Sequence, residues 1–366
     1  MEELFLYAPC VFLVGEDYQI LFNTRVKGMG EVRVGRETYR DEALGLMRWA
    51  DTIHRITVPQ RALDEARRYT IRFAPLEERI PYFTTMPTWA ERTFDFRPVN
   101  TEGDIRLYHL ADVHSHLEEP CEAAAFWGEG ADDLLVFNGD IADRNDSMEN
   151  LLVLYRVNDR VTGGHRPILF VRGNHDTRGQ LAHRIADYIG TQDGATYFTF
   201  RTGALWGVAL DCGEDKLDGH IEYGGTVDFA AFRRRETAFL ERIARERPFE
   251  APGIRHRIAV CHIPFTLRQP EPFDIENELY AHWTELLNGM GIELMLCGHL
   301  HRAGVVRPGD EHDRRGQRFP MAVAAALNRE KHFTGCAVEL KDRETVLRFT
   351  NSRREVLAEH RLEKQA

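Results

Sequence analysis

Seven residues at five separate places in the chain are of types that hold metal ions: Asp112, His114, Asp140, Asn174, His262, His299 and His301. Together they offer two carboxylates, one amide oxygen and four imidazoles. This mixture of donors suits borderline divalent cations such as Mn, Fe, Co, Ni or Zn rather than Ca or Mg. The set is too large for one ion. Two ions sharing one carboxylate, about 3.5–4 Å apart, form the usual arrangement for hydrolysing phosphate esters. A water held between two cations loses its proton cheaply and can attack phosphorus in line, and the same charges neutralise the phosphate oxygens. The leaving alkoxide still needs a proton. His175, directly after Asn174, is placed to give it or to steady the phosphate.

Each group of donors ends an apolar run that reads as a strand. Ile105–Leu110 leads to Asp112-Val113-His114, and Leu134–Phe137 leads to Asn138-Gly139-Asp140. Ile168–Val171 leads to Gly173-Asn174-His175-Asp176. Arg257–Cys261 ends at His262, and Ile292–Leu296 ends at Gly298-His299-Leu300-His301. Helical patterns lie between them. Pro120–Trp127 is short, Ser147 can cap a second helix, and Gln180–Ile189 reads as a third. Thr226 or Asp228 can cap a longer one with Phe229, Phe232, Phe239, Leu240 and Ile243 on one face, stopped by Pro248. Leu279, Trp283, Leu286 and Leu287 mark a further helix that Gly289 would end. Alternating strands and helices predict a layered α/β domain, where ligands collect at the carboxyl ends of strands.

The first hundred residues differ. Runs such as Tyr18–Phe22, Val32 and Val34, His54 to Val58, and Tyr69 to Phe73 alternate with period two and are broken by turn residues. They predict an all-β, antiparallel sandwich over residues 1–100. Leu63 followed by Tyr69 is similar to the tyrosine corner of immunoglobulin-like and fibronectin-like domains. No catalytic cluster is found there, and His54 reads as a strand-face residue. The polar, turn-rich run Pro98–Asp104 sets the boundary, with the catalytic domain over 104–366.

The ordered blocks Asp112-x-His114, Gly139-Asp140-x-x-Asp143, Gly173-Asn174-His175-Asp176, His262 and Gly298-His299-x-His301 resemble the calcineurin-like metallophosphoesterases. That resemblance implies a sandwich of two sheets flanked by helices, with two divalent metal ions at one edge. It implies one ion on Asp112, His114 and His301, a second on Asn174, His262 and His299, and Asp140 bridging. His175 matches the family's catalytic histidine, Asp176 would orient it, and Asp143 would hydrogen-bond around the bridging site. An immunoglobulin-like domain ahead of the catalytic one resembles the layout of purple acid phosphatases. Those enzymes place a tyrosine ligand where this chain has Asp143 and lack the histidine that His114 supplies, so no tyrosinate-to-iron colour is expected.

Substrate contacts are sought among basic residues near these blocks: Arg178, His116, and Lys216 and His220 of the polar loop that starts at Gly213. Arg233-Arg234-Arg235 reads as a solvated helix face, and Cys261 and Cys297 as core. The chain has 366 residues, 43% hydrophobic and 29% charged, with a formal charge of −11. The acidic balance and the lack of a basic, aromatic-rich stretch argue against a nuclease. A cyclic-nucleotide phosphodiesterase would use the same metal chemistry. A non-catalytic scaffold would be expected to have lost ligands, and here every position is filled. The expected substrate is a small phosphate mono- or diester. No secretory signal or membrane-spanning run is evident and the six cysteines show no disulfide spacing, so a cytoplasmic protein is expected.

Overall fold

A computed structural model describes residues 4–100, 102–128, 131–313, 315–324 and 332–364. Its largest sheet has nine strands, in the order Val356–Glu363, Glu344–Asn351, Thr334–Leu340, Ile105–Leu110, Leu134–Asn138, Ile168–Val171, Cys10–Val14, Asp17–Asn23 and Ile53–Pro59. A six-stranded sheet runs Phe198–Thr202, Leu205–Leu210, His256–Cys261, Leu294–Cys297, Met321–Val323 and Gly304–Val306. The strands that end in donor residues pair in parallel within each sheet. Parallel pairing points their carboxyl ends one way, so the loops that follow them gather at one edge.

Burial on both faces explains the near-continuous apolar runs. In His256–Cys261, Ile258 and Val260 join the core between the sheets, with Leu294 and Leu296 of the next strand. Ala259 and Cys261 face the opposite way, into a second core with Phe239, Leu240, Trp283 and Leu287 of the covering helices. Alternation thus turns Cys261 and Cys297 away from the sheet-sheet core, and both are fully buried. The long helix is Phe229–Glu246; Asp228, rather than Thr226, caps it by accepting from Ala231 N. The Asn277–Gly289 helix ends where expected. Gln180–Ile189 makes only a 3-10 segment, Ala182–Asp187. Among the described residues no helix is long and apolar enough to cross a membrane.

The N-terminal expectation needs correction. A two-layer β arrangement with one short helix, Gln60–Ala66, is present, with a four-stranded sheet (Glu37–Arg40, Gly28–Val34, Arg68–Pro75, Ala90–Asp95) against the end of the nine-stranded one. It is not a distinct immunoglobulin-like domain, because one of its layers is the catalytic sheet itself. Cys10–Val14 pairs in parallel with Ile168–Val171, with Phe12 opposite Ile168. The physical reason is legible in Val11-Phe12-Leu13-Val14, an unbroken apolar run that is wholly buried and needs neighbours on both sides. Tyr69 is no tyrosine corner either: its hydroxyl donates to the carbonyl of Gly164, 95 residues away, at 2.7 Å. Ala8 N donates to Asp159 and Asn158 donates to the Pro9 carbonyl, adding to the same seam. Pro98–Asp104 remains a connection in the chain, without dividing the sheet.

Candidate metal centre

The donor loops are held in conformations that side chains seldom adopt. Asp112, His114, Asp140, His299 and His301 all have positive φ, between 46° and 71°. Each such residue costs of order 1–3 kcal/mol and persists only where its surroundings over-determine it. Here the loops fix one another. Asp112 N donates to Gly139 O and His114 N to Asp140 O. His299 N donates to the Asp112 carboxylate at 2.9 Å, and Gly298 N to His262 O. Gly173 is required by close approach: a Cβ there would lie 2.2 Å from Asp140 Oδ1.

The seven predicted donors converge. Asp112, His114 and His301 offer ligand atoms within 4.8 Å of one another, and so do Asp112, Asp140 and His262. His301 Nε2 lies 3.2 Å from Asp112 Oδ1 and 3.2 Å from His114 Nε2. His262 Nε2 is 3.1 Å from Asp140 Oδ2 and 3.8 Å from Asp112 Oδ1. Asn174 Oδ1 and His299 Nδ1 are 3.0 Å apart. Asp112 is thus common to both groups, while Asp140 joins the second.

The chemistry of this set fits cations. His262 donates from Nδ1 to the Asn138 carbonyl at 2.7 Å, which turns Nε2 inward. That buried Nε2 has no hydrogen-bond partner of acceptable geometry, and neither has His114 Nδ1. Burial opposes a charge on His262, but Asp140 and Asp112 outweigh it and push its pKa up to about 10. Asp140 answers in the opposite sense: burial raises it, yet His262, His175 and His114 hold it below the usual carboxylate range. Burial, with His262 nearby, brings His299 down to about 4, and burial also lowers His114, so both keep free lone pairs at neutral pH. A group of carboxylates and imidazoles with converging donor atoms is a cation site by its donor chemistry.

His175 sits beside this group, its ring 4.7 Å from that of His114. Its Nδ1 lies 2.8 Å from the Asp143 carbonyl and its Nε2 lies 3.0 Å from Arg178 Nη1. A carbonyl only accepts and a guanidinium only donates. These two contacts fit the tautomer with its proton on Nδ1 and a lone pair on Nε2. The grouping of His114, Asp143 and His175 is then a weak third cation site, since Nδ1 of His175 is already engaged. Asp143 meets His175 through its carbonyl, and its carboxylate, 61% exposed, lies 3.5 Å from His114 Nδ1 and 3.6 Å from His175 Nδ1.

Other sequence expectations change. Asp176 does not touch the His175 ring. Its Oδ2 accepts from the backbone N–H groups of Gly173 and Asp140, each at 2.9 Å, and so ties two donor turns together. Burial and Asp140 raise its pKa to about 7. Lys216 is not free for substrate: Nζ is 2.9 Å from Asp215 and 3.1 Å from Glu222. His220 caps a short 3-10 turn by accepting from Glu222 N. His116 is exposed beside the first donor loop. Arg233 is no solvated residue but fully buried, donating to the carbonyls of Cys212 and Glu214. Sequence reasoning missed Asn138, Glu214 and Asp215. Glu214 accepts two bonds from Arg178, and Asp215 Oδ2 lies 4.0 Å from His299 Nε2. The signal was present in the buried Glu214-Asp215 pair, but an anionic substrate directed attention to the cations beside it.

A profile of the calcineurin-like phosphoesterase family matches residues 105–303, more than half of the chain. Among curated proteins, the serine/threonine-protein phosphatase CPPED1 of Danio rerio is 24% identical over 177 residues, or 47% of this chain. The chain spans about half the length of that relative, 53%. Among solved structures, a purple acid phosphatase from yellow lupin (Lupinus luteus) seeds superposes with a TM-score of 0.64 at 11% identity. It covers 98% of this chain and 74% of the lupin chain. A dimetal phosphatase from Danio rerio gives a TM-score of 0.52 at 13% identity, covering 72% of this chain and all of its own. At these identities the structural likenesses speak for the fold.

Proposed function

The chain belongs to the calcineurin-like phosphoesterases, and on that premise we propose that it hydrolyses phosphate esters at a dinuclear metal centre. The observation that carries this reading is the convergence of seven donors from five strand ends on one edge, with Asp112 common to two groups. On the family's pattern Asp112, His114 and His301 would hold one ion and Asn174, His262 and His299 the other, with Asp140 between them, while the ligand atoms themselves make Asp112 the carboxylate that two groups share. Two divalent cations there supply the charge that neutralises phosphoryl oxygens and the acidity that makes water a nucleophile. The named similarity to a serine/threonine-protein phosphatase and to a dimetal phosphatase supports the same reading.

The protein's own groups have separable tasks. Asn138 O orients His262, and Asp176 holds the Gly173 and Asp140 turns in register. Asp140 Oδ1 accepts from His175 N, which fixes the backbone on which the His175 ring stands. The Asp143 carbonyl keeps the His175 proton on Nδ1 and leaves Nε2 facing the substrate side. There Nε2 accepts from Arg178 Nη1 and so steadies the guanidinium beside the metal-binding residues.

The test is growth or reconstitution with Mn, Fe, Zn, Ni or Co in turn, followed by metal analysis and assay on an aryl phosphate and a bis-aryl phosphate ester. Two ions per chain and turnover of either ester are expected. Fewer than one ion per chain after growth in every metal would sink the proposal.

A further inference from the structure

Resting on that reading, we propose that Arg178 binds the phosphoryl group directly and makes this site select phosphate monoesters over diesters. A guanidinium has five N–H donors. Arg178 spends three of them. Nε and Nη2 donate to the two oxygens of Glu214 at 2.8 and 2.9 Å, and Nη1 donates to His175 Nε2 at 3.0 Å. Two remain, one on each Nη. The side chain as a whole is 32% exposed.

The fork is a built device and not a surface ion pair. Glu214 is 1% exposed. Thr177 Oγ1 and Tyr223 OH lie 3.1 and 3.2 Å from its carboxylate, each sharing its one proton with a second acceptor, the Asn174 carbonyl and Asp215. Its backbone carbonyl is held at 2.7 Å by the buried Arg233. Burying a charged carboxylate in this way is costly unless its partner is fixed in place, and the bidentate contact fixes the guanidinium plane. The position is also specific. On one side Arg178 meets His175, whose ring abuts that of His114. On the other, Nη2 is 3.9 Å from Asp215, whose second oxygen faces His299. Arg178 thus lies across the mouth of the centre, between the two groups of donors.

A monoester carries two negative charges on three terminal oxygens at neutral pH, whereas a diester carries one on two. With two oxygens turned to the metal side, the third oxygen of a monoester meets the two unspent donors of Arg178. In a diester that place is taken by an esterified oxygen, which bears no charge and brings a bulky substituent against the guanidinium.

Arg178→Lys keeps the charge and loses the fork; Arg178→Gln loses both. Loaded protein should prefer the aryl phosphate over the bis-aryl phosphate ester. Either substitution should lower kcat/KM for the monoester by about 10²-fold, the usual cost of one transition-state donor. The diester should suffer far less, so the monoester-to-diester ratio should fall at least ~10-fold. Inorganic phosphate, followed by calorimetry, should bind more weakly to both variants while metal analysis still finds two ions. An unchanged ratio in both variants, or undiminished phosphate binding, would overturn the inference and leave the phosphoesterase standing. If the unsubstituted, metal-loaded protein cleaved neither ester, the phosphoesterase reading itself would fall, and this inference with it.

Discussion

The two halves of the candidate metal centre are built differently. The half containing His262, Asp140 and Asn174 is the more sealed, with each of these at most 2% exposed and the side chain of its other residue, His299, 15% exposed. The half containing His114 and His301 is open, and the His301 side chain is 54% exposed. Charges in the sealed half cannot be left to water, so His262 and the two carboxylates pair with one another even without an ion. That half is therefore part of what holds the strand ends together, as well as a place for a cation. The open half makes fewer demands on the fold and meets water through His301.

Removing a ligand from each half should expose this difference. His262→Asn should lower turnover by about 10³-fold or more. It should also destabilise the protein by about 3 kcal/mol or more, because Asp140 and Asp112 lose a buried partner. Activity and denaturant midpoints report both effects. His301→Asn should cost about 10²-fold in turnover and one of two ions, with a midpoint shifted by no more than about 0.5 kcal/mol. Equal destabilisation by the two substitutions would erase the distinction between sealed and open halves.

Acid should sharpen the same contrast. Without an ion His262 is protonated up to about pH 10, so a cation must displace a proton from it. Apparent affinity should then fall by about tenfold for each unit the pH drops below neutrality, as metal analysis after dialysis would reveal. In the metal-free protein the sign is reversed. A raised histidine pKa stabilises the fold fully below its ordinary value of 6.5, and this contribution is lost as the pH rises towards about 10. The denaturant midpoint in chelator should fall across that window, and His262→Asn should flatten the slope. The smallest effect belongs to His116, exposed beside the open half. His116→Ala should leave kcat/KM within about two-fold, as surface replacements usually do, and a larger loss would place this residue at the substrate.

Local chemistry made much of the protein legible. Apolar runs that stop at Asp, Asn and His announce strands with ligands at their carboxyl ends, because strand burial and turn-forming residues are properties of short stretches. The seven donors, His175 and the placing of helices between strands followed from that, as did the reading of Cys261 and Cys297 as core. The tertiary structure alone decided the rest. Arg178 meets Glu214 across 36 residues, Tyr69 meets Gly164 across 95, and His299 meets Asp112 across 187. Contacts at such separations leave no periodic trace in a sequence. The same holds for Arg233, whose neighbours in the chain, Arg234 and Arg235, suggest solvent while its position on the Phe229–Glu246 helix turns it inward under the Glu214 loop. Which residues could ligate a metal was a matter of type and spacing. Which carboxylate two groups share, and which cationic side chain stands beside them, depended on how the two sheets bring their edges together.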